Sequence, residues 1–280
     1  MAKDRSFRIR GEGDRKGVLL IHGLTGAPAE MKAVGRVLHR QGFSLYAPLL
    51  AGHGGTEADL LETGWRDWVD SAKAAYLDFA QEVDEVYVAG ICAGGAIGLE
   101  LCAAFPEIRG AAVYSMLFEY DGWNMPRITT GAPLIQAVAN LPLLRSLSFV
   151  QPHPYGLKDE RLRGLAENAL QALIPGALDR MPLGCMHQLY RLARHVEKIA
   201  PGIEAPVLIA HAQEDDMANP RNAYRLQRAL GGFSEVVMLE DSYHMIHVDK
   251  QHARLGELTA GFFGGPVLAP AAVRRATVEA

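Results

Sequence analysis

The chain has 280 residues, 49% apolar and 21% charged, with 28 basic and 32 acidic side chains and a net charge of -4. This composition excludes intrinsic disorder, which needs few apolar residues and a high net charge, and it excludes nucleic-acid binding through a basic face. A chain of this length buries enough surface to fold without a disulfide or metal staple.

In chain order, a short apolar strand is expected at 17–21, then a helix at 29–41 with Met31, Val34, Val37 and Leu38 on one face. A strand at 43–47 follows, then a helix at 65–80 burying Trp68, Val69, Ala72, Tyr76 and Phe79. Strand 86–89, helix 96–105, strand 111–114, strand 207–210, helix 221–230 and strand 235–239 continue the pattern. Strands apolar on both faces and alternating with helices imply an α/β fold, a mostly parallel sheet with helices on both faces. Between 117 and 205 the alternation stops. That stretch is proline-rich, shows no strand and carries amphipathic helices at 161–172 and 183–199, so it reads as a helical cap inserted at the carboxyl edge of the sheet. The expected organisation is a core of residues 1–116 and 206–264, a cap insertion at 117–205 and a flexible tail at 265–280. The first residues are charged with no apolar segment behind them, and no apolar run is long enough to cross a bilayer. A cytoplasmic protein with no membrane span is the expectation.

Cys92, Cys102 and Cys185 make neither a disulfide framework nor a zinc spacing, so no metal is expected. One of them stands in the sharpest motif of the chain. An apolar strand runs into Gly90-Ile91-Cys92-Ala93-Gly94, and helical residues follow. In the nucleophile elbow Gly-x-Ser-x-Gly, the central residue sits on a strained strand-to-helix turn, and small neighbours admit close backbone. The amides that follow, at a helix N-terminus, stabilise an anion. Here the summit residue is cysteine.

A nucleophile also needs an acid, a base and an oxyanion pocket. Asp215 and Asp216 follow strand 207–210. Their spacing to Asn219-Pro220 favours Asp215 as the acid and leaves Asp216 as a turn or cap residue. His244 and His247 follow strand 235–239, and the strand-end position favours His244 as the base. The glycines of Ile21-His22-Gly23-Leu24-Thr25-Gly26 let the Leu24 amide turn toward the substrate beside the amide of Ala93. His22 and His53 are read as ordering their loops, Trp65 and Trp68 as helix core, Cys102 and Cys185 as structural, and His211 as surface or satisfied core.

Taken in order, these motifs resemble the α/β-hydrolase superfamily over almost the whole chain. The branch they look most like is the bacterial carboxylesterase and monoacylglycerol-lipase-like one. The resemblance rests on His-Gly-Leu-Thr-Gly at 22–26, Gly-His-Gly at 52–54, the elbow at 90–94, Asp-Asp-Met-Ala-Asn-Pro at 215–220 and Ser-Tyr-His at 242–244. It implies Cys92 as nucleophile, Asp215 as acid, His244 as base, Leu24 and Ala93 as oxyanion amides, and the insertion as the family's cap. It implies no cofactor. Most members of that branch carry serine at the elbow. Dienelactone hydrolases and polyhydroxyalkanoate synthases are similar in having cysteine there, but the first lack so large a cap and the second are much longer chains.

Cysteine alters the expected chemistry. A helix N-terminus and a neighbouring imidazolium favour a thiolate, so a Cys92 thiolate–His244 imidazolium pair is the expected resting state. Attack on an ester or thioester gives an acyl-thioester enzyme. A thiolate leaves more readily than an alkoxide, so return to substrate dominates with oxygen esters, whereas with thioesters the two sulfur leaving groups are comparable. The expected activity is hydrolysis of carboxylic esters or thioesters with apolar acyl groups. The small-molecule acyl substrate is the only partner implied, and the oligomeric state is left open. Three alternatives stand beside this reading: an acyltransferase on the same framework, a serine carboxylesterase carrying an engineered serine-to-cysteine change, and a non-catalytic binding protein. Leu134, Ile135, Val138, Leu141, Leu143, Leu144, Leu147, Met181, Leu183 and Met186 are expected to shape an apolar acyl pocket, and Arg127, Arg145 and Lys158 to offer an anion site or a solvated face.

Overall fold

The structure, a computed structural model, describes residues 5–12, 15–125 and 144–265. The expectations placed on Arg127, Leu134, Ile135, Val138, Leu141, Leu143 and the segment 266–280 lie outside the described residues.

Seven strands form one sheet: β1 (Phe7–Ile9), β2 (Lys16–Ile21), β3 (Ser44–Ala47), β4 (Glu85–Ile91), β5 (Ala111–Tyr114), then, after the insertion, β8 (Val207–Ala212) and β9 (Ser234–Leu239). Their order is β1-β3-β2-β4-β5-β8-β9. All neighbours are parallel except β1, which runs antiparallel to β3 and caps that edge. β1 has only three residues and no apolar run, which is why sequence reading passes over it. The mostly parallel sheet expected from the alternation, and the α/β-hydrolase fold that the resemblance implies, are the architecture observed.

Helices cover the sheet. α1 (Lys32–Arg40) follows a single 3-10 turn at Pro28–Met31, α2 is Glu57–Leu61, α3 is Trp65–Phe79 and α4 is Ala93–Ala104. α1 packs against the C-terminal helix at His252–Gly264, while α3 and α4 pack together. The interior strands β2, β4, β5 and β8 are buried on both faces nearly throughout, as parallel strands under two helix layers must be.

The insertion differs from expectation in two ways. It contains a small antiparallel pair, β6 (Ser148–Val150) with β7 (Arg180–Pro182), where no strand is predicted. Three-residue strands carry too little periodicity to be read. The single helix expected at 161–172 is two pieces, α5 (Glu160–Asn168) and α6 (Leu170–Leu173), divided at Ala169, whose φ of -176° and ψ of 134° are extended. α7 (Leu183–Ile199) matches its predicted span and packs on α3 and α4, burying Leu189, Leu192, Ala193 and Val196. After β8 come α8 (Arg221–Ala229) and, beyond β9, α9 (His252–Gly264).

The strand order positions the site. β3 lies on one side of β2 and β4 on the other, so the connections after β2 and β4 diverge at their carboxyl ends and leave a crevice. Ile21 pairs with Gly90 in register. The loop that begins at His22 and the turn at Cys92 therefore emerge side by side.

Candidate active site

Cys92 stands between β4 and α4 with φ 52° and ψ -111°, a conformation that non-glycine residues rarely adopt. Such strain persists only where the surroundings over-determine it. Here they do: the Cys92 N–H donates to Tyr114 O at 2.9 Å, and helix α4 starts at the next residue. The flanking glycines are required by space. A Cβ on Gly94 would lie 2.2 Å from Ile21 O and 2.5 Å from His22 O, and one on Gly90 would lie 2.4 Å from the Gly94 carbonyl. Those neighbours are backbone and cannot turn aside. Gly94→Ala is therefore expected to destabilise the protein by about 3 kcal/mol or more. Thermal unfolding of the variant checks this, and an unchanged melting temperature would contradict the packing.

The structure brings Cys92, His244 and Asp215 into one hydrogen-bonded chain. His244 is hydrogen-bonded to Cys92 on one side. On the other, His244 Nδ1 lies 2.9 and 3.0 Å from the two Asp215 carboxylate oxygens. All three side chains are buried. Asp215 is fixed in turn, because its Oδ1 accepts the N–H groups of Met217 at 2.9 Å and Ala218 at 2.8 Å. Burial works against the Asp215 carboxylate, but His244 and His211 outweigh it, and the group is held below its ordinary range. Burial likewise pulls His244 down, and Asp215 together with Cys92 overcomes it, so the imidazolium is favoured well above its ordinary range.

Asp216 does more than the turn-residue expectation assigned to it. Its Oδ1 accepts the His244 backbone N–H at 3.3 Å and its Oδ2 accepts Gly156 N–H at 3.0 Å. Met245 N–H returns to Gly156 O at 2.9 Å, and Ser115 Oγ donates to His244 O at 2.7 Å. The histidine loop is thus tied to the insertion and to the end of β5. Burial and the neighbouring Asp215 push the Asp216 carboxyl up to about 6.

His211, read from sequence as surface or satisfied core, belongs with the acid. It is fully buried, its Nε2 lies 2.8 Å from Ala218 O and 3.3 Å from Asp215 Oδ2, and burial lowers it while Asp215 opposes. Its place at the end of β8, four residues before Asp215, was the available signal. His247 stands apart from Asp215 and faces Glu30 instead, Nε2 to Oε1 3.8 Å. Glu30, 5% exposed, is a second residue that sequence reading missed.

The loop of Leu24 is held by the two histidines read as loop-ordering. His22 Nδ1 lies 2.9 Å from Gly23 O and its Nε2 accepts Leu50 N–H at 3.2 Å. His53 Nε2 lies 2.6 Å from Leu24 O. Ala93, the other expected amide, is the first residue of α4, where an N–H has no partner within the helix.

A small cavity of about 60 Å³, partly open to solvent, lies over Cys92. Its walls include Leu24, Ile91, Tyr120, Leu170, Met181, Met217 and Met245. Of the residues expected to shape it, Met181 does so. Met186 is instead fully buried in the main core and Leu147 is an exposed residue. Met217 and Met245 come from the loops that carry Asp215 and His244, so the site's own loops supply much of the apolar wall. Lys158 is committed to Glu214 and Asp241, and Arg145 donates to Leu61 O, which leaves neither as an anion site in the cavity. Cys102 and Cys185 are buried, and burial pushes both thiols up to about 12. Among the described residues, no helix is long and apolar enough to cross a membrane, and no group of three or more His, Cys, Asp or Glu is placed to hold a metal ion.

The family described as "Serine aminopeptidase, S33" matches residues 13–251. A thermostable monoacylglycerol lipase of Bacillus sp. (strain H-257) is 27% identical over 248 residues, covering 88% of this chain and 90% of the relative. A carboxylesterase of Bacillus subtilis (strain 168) is 24% identical over 249 residues, covering 88% and 91%. Among solved structures, a soluble variant of Saccharomyces cerevisiae monoglyceride lipase in complex with a substrate analog superposes with a TM-score of 0.78 at 14% identity, covering 92% and 90%.

Proposed function

Because the chain belongs to the serine aminopeptidase S33 family of α/β-hydrolases, we propose that it hydrolyses carboxylic esters or thioesters with apolar acyl groups, using Cys92 as nucleophile, His244 as acid–base and Asp215 as the orienting carboxylate. The observation that carries this reading is the hydrogen-bonded chain Cys92–His244–Asp215 at the floor of a mainly apolar cavity. The relatives named as a monoacylglycerol lipase and a carboxylesterase support the ester class.

The steps follow from the geometry. The Cys92 thiolate attacks the acyl carbonyl, and the developing oxyanion is received by the N–H groups of Leu24 and Ala93. The tetrahedral intermediate collapses with cleavage of the bond to the alcohol or thiol, which leaves with the proton from His244. Water then enters and gives its proton to His244 as it attacks the acyl-thioester. The second tetrahedral intermediate releases the carboxylic acid and restores the thiolate–imidazolium pair. With an oxygen ester, the first intermediate must expel an alkoxide in competition with a thiolate. With a thioester, the two leaving groups are alike, which favours activated acyl groups as substrates.

Alkylation tests the nucleophile. Iodoacetamide is expected to label Cys92 alone, since Cys92 lines the cavity, whereas burial disfavours the thiolates of Cys102 and Cys185. His244→Ala should slow this labelling by about tenfold or more, as judged by mass spectrometry. Equal labelling of the three cysteines, or a His244-independent rate, would overturn the assignment.

A further inference from the structure

The backbone of the 23–26 loop is almost fully spoken for. Gly23 O accepts Gly26 N–H at 3.1 Å and lies by His22, Leu24 O lies by His53, and Thr25 O accepts Leu178 N–H at 2.8 Å. Gly23 N–H donates to Glu30 Oε1 at 2.6 Å. No hydrogen bond to a described residue ends on the Leu24 N–H. The Gly23 and Gly26 N–H groups and the Gly23, Leu24 and Thr25 carbonyls each have a partner in a side chain or another backbone group, and buried backbone groups are rarely left without one. Among the described residues, the Leu24 and Thr25 amides are thus the N–H groups the loop keeps available.

Glu30 is the unexpected member of that set. It follows Pro28 and Ala29 in the 3-10 turn before α1, and its carboxyl is folded back under the loop. Gly26 has no side chain because Glu30 fills its space: a Cβ there would lie 2.2 Å from Glu30 Oε2. Among the described residues, Glu30 is the only carboxyl group lining the cavity, which it shares with the titratable groups Cys92, Tyr120, His244 and His247. His247, from the loop after β9, is 1% exposed, and neither of its ring nitrogens has a hydrogen-bond partner among the described residues. His247 Nε2 therefore faces Glu30 Oε1 at 3.8 Å without a hydrogen bond between them.

We infer that Glu30 is a positioning residue: through its hydrogen bond to Gly23 N–H it holds the 23–26 loop so that the Leu24 amide meets the oxyanion formed over Cys92. This inference rests on the proposed acyl transfer at Cys92. The protonation state of Glu30 then matters. Burial pushes its carboxyl up to about 7, against the pull of the Gly23 amide and His244, while burial, His244 and His252 hold His247 down at about 3. Below pH 7, Glu30 is a neutral acid that still accepts from Gly23. Above pH 7, it places a negative charge beside the loop that must receive a second one. In a low-dielectric cavity that repulsion outweighs the gain in a single hydrogen bond. Turnover therefore falls as pH rises through Glu30's ionisation.

The test compares Glu30→Leu and Glu30→Gln with the unaltered protein, reading hydrolysis of an acyl ester and alkylation of Cys92 by iodoacetamide. Alkylation needs the thiolate and forms no oxyanion. Glu30→Leu is expected to lower kcat by about 10–100-fold with KM within about twofold, a smaller loss than deleting an oxyanion donor outright. Its alkylation rate stays within about twofold. Glu30→Gln keeps an acceptor for Gly23, so kcat at pH 6 is retained within about threefold. Its profile lacks the decline that the unaltered protein shows near pH 7. Parallel loss of turnover and alkylation in Glu30→Leu would reduce Glu30 to a structural residue. A Glu30→Gln profile superimposable on the unaltered one would remove the charge effect. Failure of the unaltered Cys92 to alkylate in a His244-dependent way would instead overturn the parent reading.

Discussion

Cys92→Ala is expected to lower kcat/KM by about 10⁵-fold or more, because the remaining residues of a nucleophile–base–acid set retain little catalysis once the nucleophile is gone. The fold should survive. Cys92 is anchored through its backbone to Tyr114 O, and the substitution removes one sulfur atom from a site that borders a cavity. Its melting temperature should therefore shift by only a few degrees. Cys92→Ser divides the chemistry more finely. Serine keeps the hydrogen bond to His244, but its hydroxyl is not ionised before attack, so proton transfer must accompany bond formation. Thioester turnover is expected to fall further than oxygen-ester turnover, measured with one acyl chain carried on both. A variant that hydrolyses the oxygen ester faster than the cysteine protein would mark the site as built for serine.

How much of this was legible in the sequence depends on what each feature is made from. The interior strands announce themselves as apolar runs, and the predicted and observed spans of 111–114 coincide. The elbow is legible because strain and crowding leave few residue choices at 90, 94 and 95. Cys92, Asp215 and His244 were named from position relative to strands, and the structure places them in hydrogen-bonded sequence. The misses share a cause. Glu30 looks like an ordinary first-turn helix residue, and His211 like a strand end. Glu30 gains its surroundings from His247, 217 positions on, and His211 its role from how the adjoining 215–218 loop folds back on it. β6 and β7 pair across more than twenty residues of irregular chain, with no periodicity to betray them. Local pattern reports burial and turns, whereas the partner of a buried polar group is a property of tertiary packing.

Asp215→Asn tests the acid with a result that the hydrogen-bond geometry fixes in advance. The Oδ1 position accepts two backbone N–H groups, from Met217 and Ala218, so it must remain oxygen in the variant. The amide NH₂ then takes the Oδ2 position, 2.9 Å from His244 Nδ1. Facing that donor, and with the Oδ1 oxygen 3.0 Å away already taken by two N–H groups, Nδ1 gives up its proton, and the imidazole adopts the tautomer that carries hydrogen on Nε2. That tautomer donates toward Cys92 and cannot take its proton. The loss of negative charge also removes the main influence that keeps His244 cationic against burial. Both effects act on the same step, and kcat should fall by about 10²–10⁴-fold. The residual rate should climb with pH as the thiolate forms without help from His244. Asp216→Asn is the control in the same loop. It weakens one of two backbone contacts, to His244 N–H or Gly156 N–H, and leaves the imidazole–carboxylate pair intact. About tenfold or less is expected there. The order of the two effects decides the assignment, because a larger loss in Asp216→Asn would move the acid role one residue along the chain.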